Sequence, residues 1–411
     1  MTAPVAITGI GVISAAGAGK EALFRTLSEG GSTFSPRMFR EKHFPLIPPV
    51  FGAYVDDSTV RDFPGRQRAT DNLSREVRLF CSAAVMACRD AGLDPKRWQN
   101  SRVGVFAATM FAGADLFLRL TRDRLICGTG CITASEAFQG CIFAPASQVS
   151  IWLGTQAANI TMASGWASGI DVLAYAADFI REERATIGLA GGFDVLSYLA
   201  ACALDEDKGK GSRPYAPRPF DLDRRGPVFG EAGVVLVLED SAQACARGAS
   251  ISAELCGAGS AFEPDGSFCG LERVSKRAIE QCMESACIRP AEVDLIFASA
   301  NGHRLWDASE AAALHTIFGD HVPVCAVKGA IGECLGASSA LQVAAAVLSL
   351  HKKVVFPTVG FNTPDPLLPR LRINRDLQST NARHVLVNCL DGRGYAAALL
   401  VRRAPAGEEL S

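Results

Sequence analysis

A layered α/β architecture, with helices covering largely parallel sheets, is the fold class the sequence predicts. Three observations carry this. Apolar strand-like runs, glycine-bearing turns and helical runs alternate along the chain. The alternation recurs in both halves: an apolar strand, a Gly-rich turn and an Ala-rich helix stand at 187–193 and again at 324–350. At 411 residues the chain exceeds the roughly 250–300 residues over which a single core grows, so two half-domains are expected, 1–250 and 251–411.

The elements follow in order. Val5 to Ile13 is an apolar run punctuated by glycines and reads as a buried strand. Gly17 to Gly19 turns it, and Lys20 to Glu29 reads as a helix. Gly9-x-Gly11 lacks the third glycine of a dinucleotide loop, and no acidic residue ends a second strand about 20 residues on. Residues 31–70 carry Pro and Arg without periodicity and read as surface loops. Arg75 to Gly92 is an amphipathic helix with Leu79, Ala83, Val85, Met86 and Ala91 on its apolar side. Arg102 to Thr109 is a strand, and 110–156 mixes glycine, short helical runs and aromatics. Ser164-Gly165-Trp166-Ala167-Ser168-Gly169-Ile170 leads into an apolar helical run, Asp171 to Ile180, and Ala190-Gly191-Gly192 reads as a turn closing a short strand. Gly233 to Glu239 is strongly β. Beyond 250 come helix Gly270–Cys287, strand Asp294–Ala300, helix Ala308–Phe318, strand Val322–Val327, helix Leu335–Leu350, and strands near 370–375 and 385–402.

Composition narrows the function classes. The chain is 48% hydrophobic and 20% charged with net charge −2, which suits a large core and gives no basic balance for nucleic acid. The longest apolar run, Leu341 to Leu350, is too short for the roughly 20 residues a bilayer needs, so no membrane association is expected. Residues 1–15 lack a basic segment ahead of the apolar stretch, so no signal peptide is expected. The 14 cysteines sit among apolar neighbours, Cys81, Cys88, Cys202, Cys245, Cys256 and Cys389 among them, and read as reduced, buried thiols of a cytoplasmic protein. Cys127, Cys131 and Cys141 match no common metal spacing, and neither metal nor cofactor is expected.

Several short motifs run in a specific order: Ile7-Thr8-Gly9-Ile10-Gly11, the Trp166 segment, Arg218-Pro219-Phe220-Asp221, Gly230-Glu231 with the apolar run behind it, Lys328, and Asn388 followed by Gly392-Arg393-Gly394. In that order and spacing the chain resembles the thiolase-like β-ketoacyl synthases over nearly its whole length. The resemblance implies two similar α/β halves stacked in five layers, αβαβα, in a protein that is normally dimeric.

In that family a Cys at the mouth of a helix accepts an acyl chain from a carrier protein. Two His residues then stabilise the negative charge that develops as a malonyl unit loses CO₂. The helix dipole and backbone N–H groups favour the thiolate. Carried over by position, the Cys place holds Trp166, the first His place Asn301 and the second Glu333. An indole has one N–H donor and no lone pair with which to attack. Losing all three groups implies that this chain does not perform the condensation. It resembles the chain-length factor, or ketosynthase β, of type II polyketide synthases, whose members making polyenes or aryl polyenes form one branch. That resemblance implies an active ketosynthase α partner, an acyl carrier protein and a shared tunnel for the acyl or polyketide chain. It also implies retained positions at Lys328, Asp171 and Asn388, and tunnel-lining candidates at Met110, Phe111, Asp115 and Phe117. Chain-length factors usually hold Gln where Trp166 stands, so the indole departs from their pattern.

Plainer roles stand beside these. Trp166 fills the volume a substrate-bearing Cys would leave, as buried aromatics mostly do. Glu333 pairs with Lys328 or is reached by water, since an unpaired buried charge is costly. Asn301 hydrogen-bonds local backbone. His303 is a loop histidine. Cys334, beside Glu333, is a buried thiol whose pKa is pushed the wrong way for reactivity. The other reading is a thiolase-fold acyltransferase or malonyl decarboxylase working through Glu333 or Cys334.

Overall fold

The computed structural model describes residues 4–39, 46–61, 73–94, 102–128, 130, 132–204 and 215–404. Ten strands build its frame: β1 (Val5–Ser14), β2 (Val103–Ala108), β3 (Asn159–Met162), β4 (Ile187–Asp194), β5 (Ala232–Asp240), β6 (Ala253–Phe262), β7 (Leu295–Phe297), β8 (Pro323–Cys325), β9 (His384–Asp391) and β10 (Tyr395–Arg402). The longer helices are α1 (Lys20–Glu29), α2 (Arg75–Asp90), α3 (Ala114–Cys127), α4 (Ala144–Leu153), α5 (Ser168–Arg181), α6 (Phe268–Ala286), α7 (Arg304–Phe318) and α8 (Ser338–Lys352).

The strand order runs β3-β2-β4-β5-β1 in the first half and β8-β7-β9-β10-β6 in the second. Both orders are 3-2-4-5-1 within their half, so the chain builds one topology twice. In each half the first two pairings are parallel and the last two antiparallel. The halves join where β1 pairs with β6 through Val5, Ala6 and Ile7, and two further two-residue strands complete a 12-stranded sheet.

Helices cover this frame in layers. α2 and α4 pack on the outer face of the first half, around Phe80, Val105 and Val235. α6 and α7 cover the outer face of the second, around Leu271, Ile296 and Leu400. Between the halves lie α5 and α8, packed on each other and on strands of both. Ser339 Oγ accepts from Ile170 N–H at 3.1 Å, tying the head of α8 to the first turn of α5. α8 is buried from Ser338 to Leu350, which is why its sequence shows no polar face.

The structure corrects several expectations. The sheet is mixed rather than largely parallel, because each half closes with two antiparallel strands. Ala190-Gly191-Gly192 is the interior of β4, not a turn. A Cβ at Gly192 would strike the Gly336 carbonyl, so glycine there admits a close backbone approach. α7 begins at Arg304 rather than Ala308, with His303 Nδ1 capping Trp306 N–H at 3.3 Å. The run from Leu335 splits into a 3₁₀ turn, Leu335–Ala337, and α8. Within 31–70, Phe34–Arg37 and Val50–Ala53 form an antiparallel ribbon and Asp57–Arg61 a short helix; 40–45 and 62–72 lie outside the described residues. Val85 and Met86 are only half-buried on α2, whose core face carries Val77, Phe80 and Ala84 instead. Cys202 and Cys245 are exposed and Cys256 half-buried, since short surface helices carry the first two. Cys127 is exposed, and Cys131 lies outside the described residues. Among the described residues no helix is long and apolar enough to cross a membrane.

Candidate functional site

The site gathers where the head of α5, the β7–α7 turn, the segment before α8 and the β9–β10 turn meet. Gly165 takes φ 90°, and the turn it makes is tied by Ser168 Oγ, which accepts from Ser164 N–H at 2.9 Å. Trp166 follows it into the interior, 3% exposed. Its ring meets Trp306 of α7 edge-on at 4.7 Å between centroids, and Phe229 at 6.3 Å. His303 stacks on the other partner of this cluster, Trp306, at 3.7 Å. Burial, followed by the positive charge of Arg224, lowers the His303 pKa to about 4, so the imidazole is neutral near pH 7. The Trp166 indole N–H finds no acceptor among the described residues.

Of the three positions singled out by resemblance, Asn301 and Glu333 meet directly, and Trp166 packs by Phe229, whose backbone bridges to Glu333. Glu333 is fully buried, and Lys328 is 1% exposed. Lys328 Nζ donates to Glu333 Oε2 at 2.8 Å, and Asn301 Nδ2 donates to the same oxygen at 2.9 Å. Ser338 Oγ donates to the other oxygen, Oε1. Lys328 also donates to Ser299 Oγ at 3.2 Å. Burial is the largest single influence on Lys328 and would lower its pKa; the charge and hydrogen bond of Glu333, with Cys389 and Glu310, together outweigh it, so the pKa is raised and the ammonium stays charged. Asn301 Oδ1 accepts from His303 N–H at 3.1 Å, so its side chain serves local backbone and Glu333 together. The Cys334 thiol is buried beneath the cluster, and burial raises its pKa further than the nearby carboxylates do.

Buried carboxylates hold the surrounding loops. Asp307 Oδ1 accepts from Asn301 N–H at 3.0 Å, and its Oδ2 from Phe220 N–H at 2.8 Å. Phe220, in the Arg218-Pro219-Phe220-Asp221 motif, thereby holds a left-handed φ of 61°. Glu310 accepts from Ser299 N–H and from Asn388 Nδ2, each at 2.6 Å, and burial raises its pKa to about 7. Asp194, at the end of β4, accepts from Met110 N–H (2.7 Å), Phe111 N–H (2.9 Å) and Gly336 N–H (2.7 Å). It therefore fixes the loop after β2 against the turn before α8.

Asp391 and Arg393 close the site. Trp166 N–H donates to Asp391 Oδ2 at 3.1 Å, and Arg393 Nη2 pairs with the same oxygen at 2.5 Å. Arg393 Nε donates to Oδ1 at 2.9 Å.

The other expected positions scatter. Met110 and Phe111 are half-buried at the site's edge, and Met110 Sδ lies 3.9 Å from Arg393 Nη2. Asp115 accepts from Tyr198 and Leu199 N–H at 3.0 and 2.9 Å, at the start of the short helix Tyr198–Leu204. Phe117 is 66% exposed on α3 and is not brought to the cluster. Asp171 accepts from Ser164 Oγ and from Tyr395 Oη (2.9 Å) beside an open cavity of about 530 Å³. Sequence reasoning missed Trp306, Phe229, Asp194 and Glu310, and had Asp391 only as the first residue of the loop 391–395 that the resemblance makes a gate to the acyl pocket. The acid in Asp391-Gly392-Arg393 is the one available signal, since it puts a charge in a glycine turn.

Chemically, the arrangement has aromatic volume at Trp166, and at Asn301 and Glu333 an amide and a carboxylate satisfied by each other and by Lys328. The thiol and the imidazole at this cluster, Cys334 and His303, are both neutral near pH 7.

Residues 2–244 match the family described as beta-ketoacyl synthase, N-terminal domain, and 256–362 match its C-terminal domain. A Streptomyces halstedii protein assigned by inference as polyketide β-ketoacyl synthase 1 is 34% identical, with 98% of each chain covered. Among solved structures, the ishigamide ketosynthase/chain length factor superposes with a TM-score of 0.88 at 26% identity, covering 98% of this chain and all of that one. A type II polyketide synthase ketosynthase, solved with its acyl carrier protein and bound to the hexaketide, gives 0.85 at 25% identity over the same shares. The expected thiolase-like fold is thus present, and the chain belongs to the β-ketoacyl synthase family.

Proposed function

We propose that this chain is the non-catalytic chain-length-factor subunit of a type II polyketide synthase. It pairs with an active ketosynthase in the cytoplasm, completes the elongation tunnel and limits chain length by excluding volume. The growing chain is attached to the partner's Cys after delivery by an acyl carrier protein. Met110 and Phe111 are the tunnel-lining positions best placed for this role, with Asp115 and Phe117 further out. The division of the chain at residue 250 goes with this reading and is supported by the repeated strand order.

One observation carries the reading: Asn301, Glu333 and Lys328 satisfy one another inside the core while Trp166 fills the remaining position. A scaffold kept intact around a closed site suits a partner subunit. Decarboxylation through Glu333 or Cys334 fits less well, because both Glu333 oxygens are engaged and the Cys334 pKa is raised.

The test is to purify the chain alone and together with a ketosynthase carrying the Cys and both His residues. Each preparation is supplied with malonyl- and acyl-loaded carrier protein. Condensed product and a heterodimer are expected only from the pair. Condensation by the chain alone would end the proposal.

A further inference from the structure

The β9–β10 turn carries a buried charge beside the head of α5. Asp391 side chain is 3% exposed, and its Oδ2 receives the Trp166 backbone N–H at 3.1 Å. The head of a helix attracts anions through its dipole and its unpaired N–H groups. Here a carboxylate of the chain itself occupies it. Three contacts hold the carboxylate in place. Arg393 grips it through Nε (2.9 Å) and Nη2 (2.5 Å), and Arg393 N–H donates to Oδ1 at 3.0 Å. Gly165 has no Cβ to strike Asp391 Oδ2. Gly392 lies against the Trp306 ring, where any side chain would collide.

We infer that Asp391 is a built-in anion plug, an inactivating element separate from the three substituted positions. Its carboxylate stands in for the negative charge that the head of α5 would otherwise stabilise. Restoring a thiol at position 166 therefore does not by itself restore a nucleophile. A thiol there would lie near a fixed carboxylate to which its own residue's backbone N–H is already donated. Like charge raises its pKa, and the N–H that would favour the thiolate is already taken. Arg393 offsets part of the charge through its Nε–Nη2 edge, but the Trp166 N–H stays donated to the carboxylate.

Two measurements test the inference. In the first, Trp166→Cys is compared with Trp166→Cys/Asp391→Asn by following iodoacetamide labelling of the new thiol, peptide by peptide, against pH. Asn keeps the shape and removes the charge. The labelling midpoint is expected to fall by about one pH unit or more in the double variant, about a tenfold gain in thiolate at neutral pH. Equal midpoints would overturn the inference. The second keeps Trp166 and so avoids the cavity. Asp391→Gly leaves Arg393 and the Trp166 N–H facing an empty carboxylate-sized space. Acetate is expected to raise the Tm of this variant above any effect on the parent chain, and chloride at equal ionic strength is not. Absence of acetate rescue would contradict the plug.

The inference rests on the non-condensing reading for its meaning, yet the two fail separately. Equal midpoints would leave the unmodified chain inert, whereas condensation by the unmodified chain would leave the Asp391 contact as it is.

Discussion

Lys328 and Glu333 form a buried pair with almost no exposure, so neither can be removed alone without stranding the other. Breaking such a pair costs about 3–5 kcal/mol, whereas replacing both ions with apolar groups is often neutral. Glu333→Leu should therefore lower stability by about that amount. Glu333→Leu/Lys328→Met should recover most of it. Urea unfolding checks both, and equal losses in the single and double variants would show that the ion pair is not what holds the site. At this scale the sequence was informative where partners are close along the chain. The Lys328–Glu333 pairing spans five residues and could be expected; so could the buried, unreactive Cys334. Trp306, Phe229 and Asp391 could not, because their contacts with Trp166 bridge segments far apart in sequence. Asp115 is another case, since its acceptor role is set by a helix start 83 residues away.

Asp194 shows how single carboxylates organise whole elements. It ends β4 and receives backbone N–H groups from the loop after β2 and from the turn before α8. Burial, outweighing those donors, raises its pKa from 3.8 to about 7. The folded chain then holds this proton more tightly than the unfolded chain does. The corresponding stability is fully present below 3.8 and is lost as pH climbs through about 7. Glu310 works in the same direction, with its pKa raised from 4.5 to about 7. The urea midpoint should accordingly fall between about pH 4 and about pH 7, and Asp194→Asn should flatten part of that fall. A fall unchanged by the substitution would remove Asp194 from this account. Among the elements themselves, β1, β2, β5 and α2 were legible because apolar runs and helical periodicity are local signals. β6 was not. Its Cys256-Gly-Ala-Gly-Ser-Ala261 stretch lacks the bulky branched residues that mark a strand, and its outer half is only partly buried. β4 was shortened because its glycines resemble a turn, and only the packed neighbour explains them.

In the whole molecule, the duplicated 3-2-4-5-1 order places the heads of α5 and α8 face to face between the two halves. That placement brings Trp166 from the first half against Trp306 and Asp391 from the second. The layered class was readable from alternation alone, but the mixed sheet was not, because strand direction depends on pairings that no local pattern encodes. The central claim concerns this assembled centre: it retains the scaffold of a condensing enzyme without a group able to take up an acyl chain. Intact-mass measurement of the purified chain after incubation with acyl-loaded carrier protein tests that claim most directly. An unchanged mass is predicted. A gain equal to one acyl group, reversed by hydroxylamine as a thioester would be, would contradict it.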